Sequence, residues 1–301
     1  MGTWQSKPGE VAKAVEAALR TGYTHIDTAY AYGNETEVGN GIKSTGVPRE
    51  KIWLTTKLDN DWHKHVAEAI DTSLKNLKVD YVDLYLMHWP CSLDRDDPTK
   101  VYSDWDFVDT WREMQKLVES GKARNIGVSN FGVKNLEKLL NAPSTKVRLP
   151  SGFRGAPIMD RGPDTTEIQI VPAVNQIELH PGNPSPNLVK YCASKGIHCT
   201  GYSPLGSSDS PLYKLDSLAK LAESKGKSIQ QVLLQWGVSK GWSVLPKSVT
   251  EERIKANFDL DGWSLTDEEI AQIDEIHKEH SFKVCSEWLP QQIFFGAGDS
   301  D

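Results

Sequence analysis

The sequence lacks the features that mark several large classes of protein. No stretch of the 301 residues reaches the roughly 18 consecutive apolar residues of a membrane-spanning helix. The first residues lack the basic, apolar and small-residue order of a signal peptide. The net charge of −7 argues against nucleic acid and anionic lipid as partners. We therefore expect a cytoplasmic protein that binds neither a membrane nor a nucleic acid.

Cysteine is scarce, and two common kinds of site have no sequence signal. The four cysteines, Cys91, Cys192, Cys199 and Cys285, form neither a CxxC pair nor a metal-binding spacing, so free thiols are the simplest interpretation. No GxGxxG follows a strand-like segment, which disfavours a Rossmann domain. No paired carboxylates or His-rich set stand at strand ends, so a hydrolase barrel has little support and no metal is expected.

Strand-like and helix-like segments alternate along almost the whole chain. The strand-like segments are 25–29, 52–57, 83–90, 125–131, 173–177, 198–203 and 243–246. The helix-like segments are 10–20, 36–44, 63–77, 106–119, 134–140, 186–194, 214–224, 229–239, 251–258 and 267–277. Such alternation indicates parallel strands with helical crossovers. We predict an α/β fold, a single eight-stranded parallel (β/α)8 TIM barrel over residues 1–301, whose first strand is truncated because only Met1–Gln5 can form it.

Residues 147–169 do not fit the alternation. They have no apolar period, are rich in Gly and Pro, and would make an uncommonly long structureless loop. We predict that this atypical insertion is disordered. Val147 has codons that begin with GT and Gln169 has a CAG codon, as at the ends of an intron, so we hypothesise a retained intron. A genuine surface insertion with a binding role is the alternative, and a spliced transcript that still encodes the segment would support it.

Four side chains with complementary chemistry stand at three successive strand ends or in the loops after them. Asp27 lies near the end of the first strand, Tyr32 follows five residues later, and Lys57 and His88 end the next two strands. In an α/β barrel these ends converge on one face. Taken alone, Asp27 could be a core carboxylate and Tyr32 a surface phenol, and a lone Lys or His there is usually structural. Four such groups at equivalent positions indicate catalysis.

Three stretches around these residues resemble the signatures of the aldo-keto reductases. They are Gly22–Gly39, Ile126–Phe131 and Leu245–Ser248, the last followed by Arg253 and Asn257. The resemblance covers essentially the whole chain, and three signatures in the right order are highly specific. It implies an eight-stranded α/β barrel that transfers hydride between NADPH and a carbonyl compound.

The resemblance assigns a role to each of the four side chains, and the family's catalytic tetrad falls on Asp27, Tyr32, Lys57 and His88. A carbonyl that accepts hydride needs a proton, which Tyr32 would give as general acid. The Lys57 ammonium would favour phenolate and lower the pKa of Tyr32. Asp27 would hold Lys57, and His88 would donate a hydrogen bond to the carbonyl oxygen.

The resemblance also implies a binding site for NADPH/NADP+. The nicotinamide end would contact Ser129, Asn130, Gln176 and Tyr202, and the rest of the cofactor Thr3, Trp4, Ser203, Leu205, Ser207, Lys247, Ser248, Arg253 and Asn257. Lys247 and Arg253 would meet the 2′-phosphate, which favours NADPH over NADH. The alternative for these two cations is a solvated basic helix start. Thr24 and Ala256 depart from the family pattern, and Ala256 puts only a glutamate contact to the adenine in doubt.

Tryptophans are the candidates for the substrate pocket. Trp4 and Trp89 would form its walls, and Trp62 and Trp105 are further candidates for which ordinary core packing is the alternative. The stretch 203–214 is short for the family, which leaves the pocket open. Small aldehydes such as glyceraldehyde, or aldoses, are therefore the expected substrates.

We predict an NADP-dependent aldo-keto reductase of the alcohol dehydrogenase (NADP+) or aldehyde reductase type, active as a cytoplasmic monomer on a small-molecule carbonyl substrate. The alternative is a catalytically weak, cofactor-binding regulatory or scaffold protein of the same fold, which the complete tetrad disfavours.

Overall fold

A parallel sheet of seven strands forms the centre of the structure, a computed structural model that describes residues 1–143, 145–146, 158–160 and 167–285. Its strands, in their order across the sheet, are β1 (His25–Asp27), β2 (Trp53–Leu58), β3 (Val82–Met87), β4 (Ala123–Ser129), β8 (Val174–Glu178), β9 (His198–Tyr202) and β10 (Ser243–Leu245). Every residue of β3 and β8 is buried, as expected for parallel strands with both faces covered. The predicted α/β barrel is confirmed.

Met1 and Gly2 lie between the two edges of the sheet, β1 and β10. Gly2 forms a parallel bridge with Asp27 and donates its N–H to the carbonyl of Pro246 at 3.1 Å, while the N–H of Asp27 donates to the carbonyl of Met1 at 2.9 Å. These hydrogen bonds nearly close the sheet into a barrel with a two-residue segment in the eighth position, in agreement with the short first strand predicted from the sequence.

Helices surround the sheet. They are α1 (Val11–Thr21), α2 (Glu35–Thr45), α3 (Val66–Leu77), α4 (Phe107–Glu119), α5 (Val133–Leu140), α6 (Pro186–Ser194), α7 (Asp216–Lys225), α8 (Ile229–Ser239), α9 (Glu251–Phe258) and α10 (Asp267–Asp274). In α1 the buried side chains recur every three or four residues along one face, and Gly22 ends the helix with a left-handed φ of 118°. A Cβ on Gly39 would lie 2.4 Å from the carbonyl oxygen of Leu77, so a glycine is needed where α2 packs on α3. No helix in the described ranges is long and apolar enough to span a bilayer.

The segment before α3 differs from the helix predicted over 63–77. Asn60–Trp62 forms a 3₁₀ turn, and α3 begins only at Val66. His63 is fully buried and its Nδ1 lies 2.8 Å from Ser92 Oγ, so tertiary packing against the loop after β3 holds these residues outside the helix.

A second, antiparallel sheet contains the described part of the insertion. Its strands are β5 (Thr145–Lys146), β6 (Ile158–Asp160) and β7 (Glu167–Ile170), in the order β5-β7-β6. Residues 158–160 and 167–169 of the predicted insertion therefore lie in strands. Residues 147–157 and 161–166 lie outside the described residues, and for them disorder stays a prediction.

Candidate active site

Lys57 is the centre of the cluster at the strand ends. It points into the barrel from β2 with 1% of its side chain exposed. Its ammonium donates to Asp27 Oδ1 at 2.6 Å, to the Thr28 carbonyl at 2.8 Å and to Tyr32 Oη at 3.4 Å. These contacts use all of its donor capacity. Burial lowers the pKa of Lys57, but the opposing attraction of Asp27, with Tyr32, leaves that pKa above its ordinary value.

Tyr32 is half-buried in the 3₁₀ turn that follows β1. Removal from water raises the pKa of its phenol, and the nearby Lys57 ammonium lowers it, with a net shift above the ordinary value. Lys57 lowers the pKa of Tyr32, as the sequence predicts, but desolvation is the larger effect and leaves the net pKa above its ordinary value. The phenol is thus neutral, and carries its proton, at neutral pH.

His88 directly follows β3, and its ring meets the Tyr32 ring edge-on with centroids 5.8 Å apart. Its backbone N–H donates to the carbonyl of Leu58 at 3.1 Å, which fixes it beside the end of β2. Burial and the charge of Lys57 hold the pKa of His88 well below its ordinary value. The imidazole is therefore neutral, with one N–H to donate. Asp27, Tyr32, Lys57 and His88 are thus brought together, as the sequence predicts.

Four residues proposed for the nicotinamide end form one hydrogen-bonded network beside this cluster. Asn130, with a left-handed φ of 62°, donates from Nδ2 to the His88 carbonyl at 3.0 Å and to Ser129 Oγ at 3.1 Å. Ser129 Oγ donates to the Gln176 carbonyl at 2.7 Å, and Tyr202 Oη donates to Asn130 Oδ1 at 2.8 Å. Both N–H groups of the Asn130 amide are engaged, and its oxygen can accept one further hydrogen bond.

The residues predicted for the rest of the cofactor lie along the loops after β9 and β10 and at the start of the chain. Ser203 and Ser207 have left-handed φ values of 47° and 76°, and Ser203 and Leu205 are half-buried while Ser207 is exposed. Ser248 is half-buried, Asn257 is buried, and Thr3 is buried with a hydroxyl that has no partner among the described atoms.

Lys247 and Arg253 are the two cations predicted to bind the phosphate group of the cofactor. Both side chains are exposed, and no ion pair involving either is found in the described part of the chain. Lys247 Nζ donates a long hydrogen bond, 3.4 Å, to the carbonyl of Gln5. Two cations that form no ion pair within the described ranges fit a phosphate-bearing ligand.

The predicted pocket tryptophans have different surroundings. Trp89 is 6% exposed and its ring stacks on His88 with centroids 6.2 Å apart, and Trp4 is half-buried. Trp62 is 7% exposed, meets the Tyr30 ring edge-on at 5.5 Å and lies under the Arg95 guanidinium at 4.0 Å. Trp105 donates from Nε1 to Thr110 Oγ1 at 2.9 Å. Trp89 thus borders the cluster of Asp27, Tyr32, Lys57 and His88, and a place for Trp62 or Trp105 in the substrate pocket stays a prediction.

Three contributors to the site were missed in the sequence. The Thr28 carbonyl accepts from Lys57, and no side-chain pattern could indicate a backbone acceptor. Glu178, at the end of β8, accepts from the backbone N–H groups of Val284 at 2.6 Å and Cys285 at 3.0 Å. The third contributor is Cys285, whose thiol forms a hydrogen bond with the Tyr202 hydroxyl. The position of Glu178 at a strand end was the available signal.

Comparisons with known proteins identify one family along the chain. The sequence matches the Aldo/keto reductase family over residues 1–278. It is 41% identical over 312 residues to a glycerol 2-dehydrogenase (NADP(+)) of Saccharomyces cerevisiae, covering 98% of this chain and 92% of the relative. It is 38% identical over 311 residues to an aldehyde reductase of the same organism, covering 97% and 92%. The structure of a Bombyx mori aldo-keto reductase in complex with NADP has a TM-score of 0.78 at 35% identity, over 94% of this chain and 90% of that chain.

By name these relatives are oxidoreductases, and the silkworm structure shares the barrel. The chain belongs to the aldo/keto reductase family.

Proposed function

We propose that the protein is an NADPH-dependent reductase that converts aldehydes and ketones to alcohols. The observation that carries the proposal is the single ammonium of Lys57, which contacts both Asp27 and Tyr32 beside a neutral His88. The relatives named glycerol 2-dehydrogenase (NADP(+)) and aldehyde reductase support the same reaction class.

In this mechanism Tyr32 is the general acid. Its raised pKa keeps the phenol protonated at neutral pH, which is the form that a carbonyl reduction needs. The proton moves from Oη to the carbonyl oxygen as charge develops there, and Lys57, 3.4 Å away, stabilises the phenolate that remains. Asp27 keeps Lys57 charged and oriented toward Tyr32.

His88 orients the carbonyl oxygen in this proposal. A neutral imidazole donates one hydrogen bond without competing with Tyr32 to lose a proton. The carbonyl oxygen gains negative charge in the transition state. A hydrogen-bond donor aimed at it therefore stabilises the transition state more than the bound substrate, which lowers the activation barrier.

NADPH is the cofactor, and when bound it supplies the hydride. Ser129, Asn130, Gln176 and Tyr202 would hold its nicotinamide end, since their network lies directly against His88. Lys247 and Arg253, both exposed and without a carboxylate partner in the described ranges, would bind the 2′-phosphate. The complex of the silkworm relative with NADP supports this cofactor.

The substrates we propose are small aldehydes such as glyceraldehyde, or aldoses. Trp89, stacked beside His88, and Trp4 give the pocket apolar walls for the carbon chain. The relative named for glycerol supports a small polyol-like compound. A monomeric state and a cytoplasmic location stay predictions from the sequence.

The test is the oxidation of NADPH by the purified protein with glyceraldehyde, followed by absorbance, with glycerol identified as the product. The same assay with NADH, which lacks the 2′-phosphate, measures how much that phosphate contributes to cofactor binding. We expect turnover with NADPH and a higher KM with NADH. Tight NADPH binding without turnover on any small aldehyde or aldose would favour the cofactor-binding scaffold instead.

A further inference from the structure

We propose that Gln176 is a positioning residue for Asp27, in addition to any contact with the cofactor. Its side-chain amide donates to the oxygen of Asp27 that does not contact Lys57. This hydrogen bond keeps Asp27 oriented so that Lys57 stays beside Tyr32. This inference rests on the proposed function, because its consequence is a change in the proton transfer of that reaction.

The two oxygens of Asp27 have different partners. Oδ1 accepts from Lys57 Nζ at 2.6 Å, and Oδ2 accepts from Gln176 Nε2 at 2.7 Å. Asp27 is 3% exposed and Gln176 is 2% exposed, so water cannot replace either donor freely. A buried carboxylate oxygen without a donor is costly, and donors on both oxygens fix the plane of the group as well as its position.

The backbone of Gln176 is itself firmly held, which gives its side chain a fixed origin. Its carbonyl accepts from Ser129 Oγ at 2.7 Å and from the Asn130 N–H at 3.0 Å, and it pairs with Ser129 across β4 and β8. Gln176 thus reaches Asp27 across the barrel from a rigid strand, a geometry that suits the orientation of a catalytic group.

The chemistry of the contact also fixes the orientation of the Gln176 amide. An ionised carboxylate only accepts hydrogen bonds, so the amide must present its NH2 group to Asp27. Its oxygen, Oε1, then faces away from Asp27 and has no hydrogen-bond partner among the described residues. One amide can therefore hold Asp27 with its nitrogen while its oxygen stays available to a ligand.

Loss of the Gln176 amide donor should change the pKa of Tyr32 through Asp27 and Lys57. Asp27 would be free to turn, and its hold on Lys57 would weaken. The Lys57 ammonium lowers the pKa of Tyr32 against the effect of burial, so a displaced Lys57 lets that pKa rise further. Alcohol oxidation, which begins from the phenolate, would then need a higher pH.

The experiment compares Gln176→Leu and Gln176→Glu by the pH profile of kcat for glycerol oxidation at saturating NADP+, with the Kd for NADPH measured separately. The leucine variant has no donor at any pH, and we expect kcat to fall about 10- to 100-fold with its rising limb moved to higher pH. The carboxyl introduced by Gln176→Glu can donate to Asp27 only while protonated. We therefore expect glyceraldehyde reduction by this variant to approach that of the wild type at acidic pH and to be lost as the pH rises.

Gln235→Glu is the matched control, since Gln235 is also a buried glutamine but lies on α8, outside the barrel. We expect its pH profiles to follow those of the wild type. If both Gln176 variants weaken NADPH binding while their kcat profiles at saturation match the wild type, Gln176 serves the cofactor alone and the inference is overturned. Absence of turnover in the wild type would instead contradict the proposed function, and the inference with it.

Discussion

Lys57 and Asp27 form an ion pair inside the barrel, with Nζ 2.6 Å from Oδ1 and side chains 1% and 4% exposed. Removal of one partner of such a pair leaves the other charge buried without compensation. We expect Asp27→Asn to lower the free energy of unfolding by about 3–5 kcal/mol, measured by urea denaturation.

The double variant Asp27→Asn, Lys57→Met removes both charges and provides the control. It should recover much of that loss, because no uncompensated ammonium remains. A decrease below about 1 kcal/mol in the single variant would contradict a buried, mutually dependent pair.

The pKa of Tyr32 predicts opposite pH dependences for the two directions of the reaction. Burial raises this pKa above its ordinary value of about 10, so the phenol stays protonated through the neutral range. The kcat for reduction should therefore be nearly constant from about pH 6 to 9 and fall only at higher pH, while the kcat for alcohol oxidation rises with pH. A reduction rate that declines steeply between pH 6 and 8 would show that a group with a lower pKa supplies the proton.

A variant of Arg253 tests the proposed binding site for the 2′-phosphate of NADPH. It is exposed and has no ion pair within the described residues, so Arg253→Ala should leave the fold unchanged. Loss of one charge-assisted contact should weaken NADPH binding about 10- to 100-fold, by fluorescence titration, with little effect on NADH. Lys255→Ala is the control, since Lys255 is also exposed on α9 but pairs with Glu251 at 2.7 Å. Equal losses for both cofactors would place Arg253 away from the 2′-phosphate.

Asp59, directly after β2, predicts a pH-dependent change in stability. Burial raises its pKa to about 6, against the hydrogen bond that it accepts from the Asn60 N–H. Between about pH 4 and 6 the folded protein holds this proton and the unfolded chain has lost it, so the stability that the protonated form contributes is lost as pH rises through 6. Asp59→Asn should therefore be more stable than the wild type by about 1–3 kcal/mol at pH 7, with little difference near pH 4.

Urea denaturation at both pH values measures this effect, with the exposed Asp209→Asn as control. A stability difference that is the same at pH 4 and pH 7 would mean that the ionisation of Asp59 is not its cause.

The strands and the side-chain cluster at their ends could be predicted because their signals are local. Asp27, Lys57 and His88 stand at the ends of apolar runs, and parallel strands bring such ends to one face. The start of α3 was predicted three residues early, because the burial of His63 against Ser92 depends on a distant loop.

Contacts across the barrel could not be predicted from local signals. Gln176 and Asp27 are 149 residues apart, and nothing near either residue indicates their hydrogen bond. The direction of the Tyr32 pKa was also beyond the sequence. The sign of the net shift depends on how much water the folded site excludes, whereas the sequence indicates only the charge of Lys57.

The most direct test of the central claim is a single-turnover experiment on protein premixed with NADPH and then with glyceraldehyde, in the wild type and in Tyr32→Phe. We predict rapid loss of NADPH absorbance in the wild type, and NADPH binding of equal affinity but a rate at least about 100-fold lower in the variant, because only the general acid is missing. Equal rates in the two proteins, or bound NADPH that no carbonyl compound oxidises in the wild type, would contradict the assignment of Tyr32 as the acid of a carbonyl reductase.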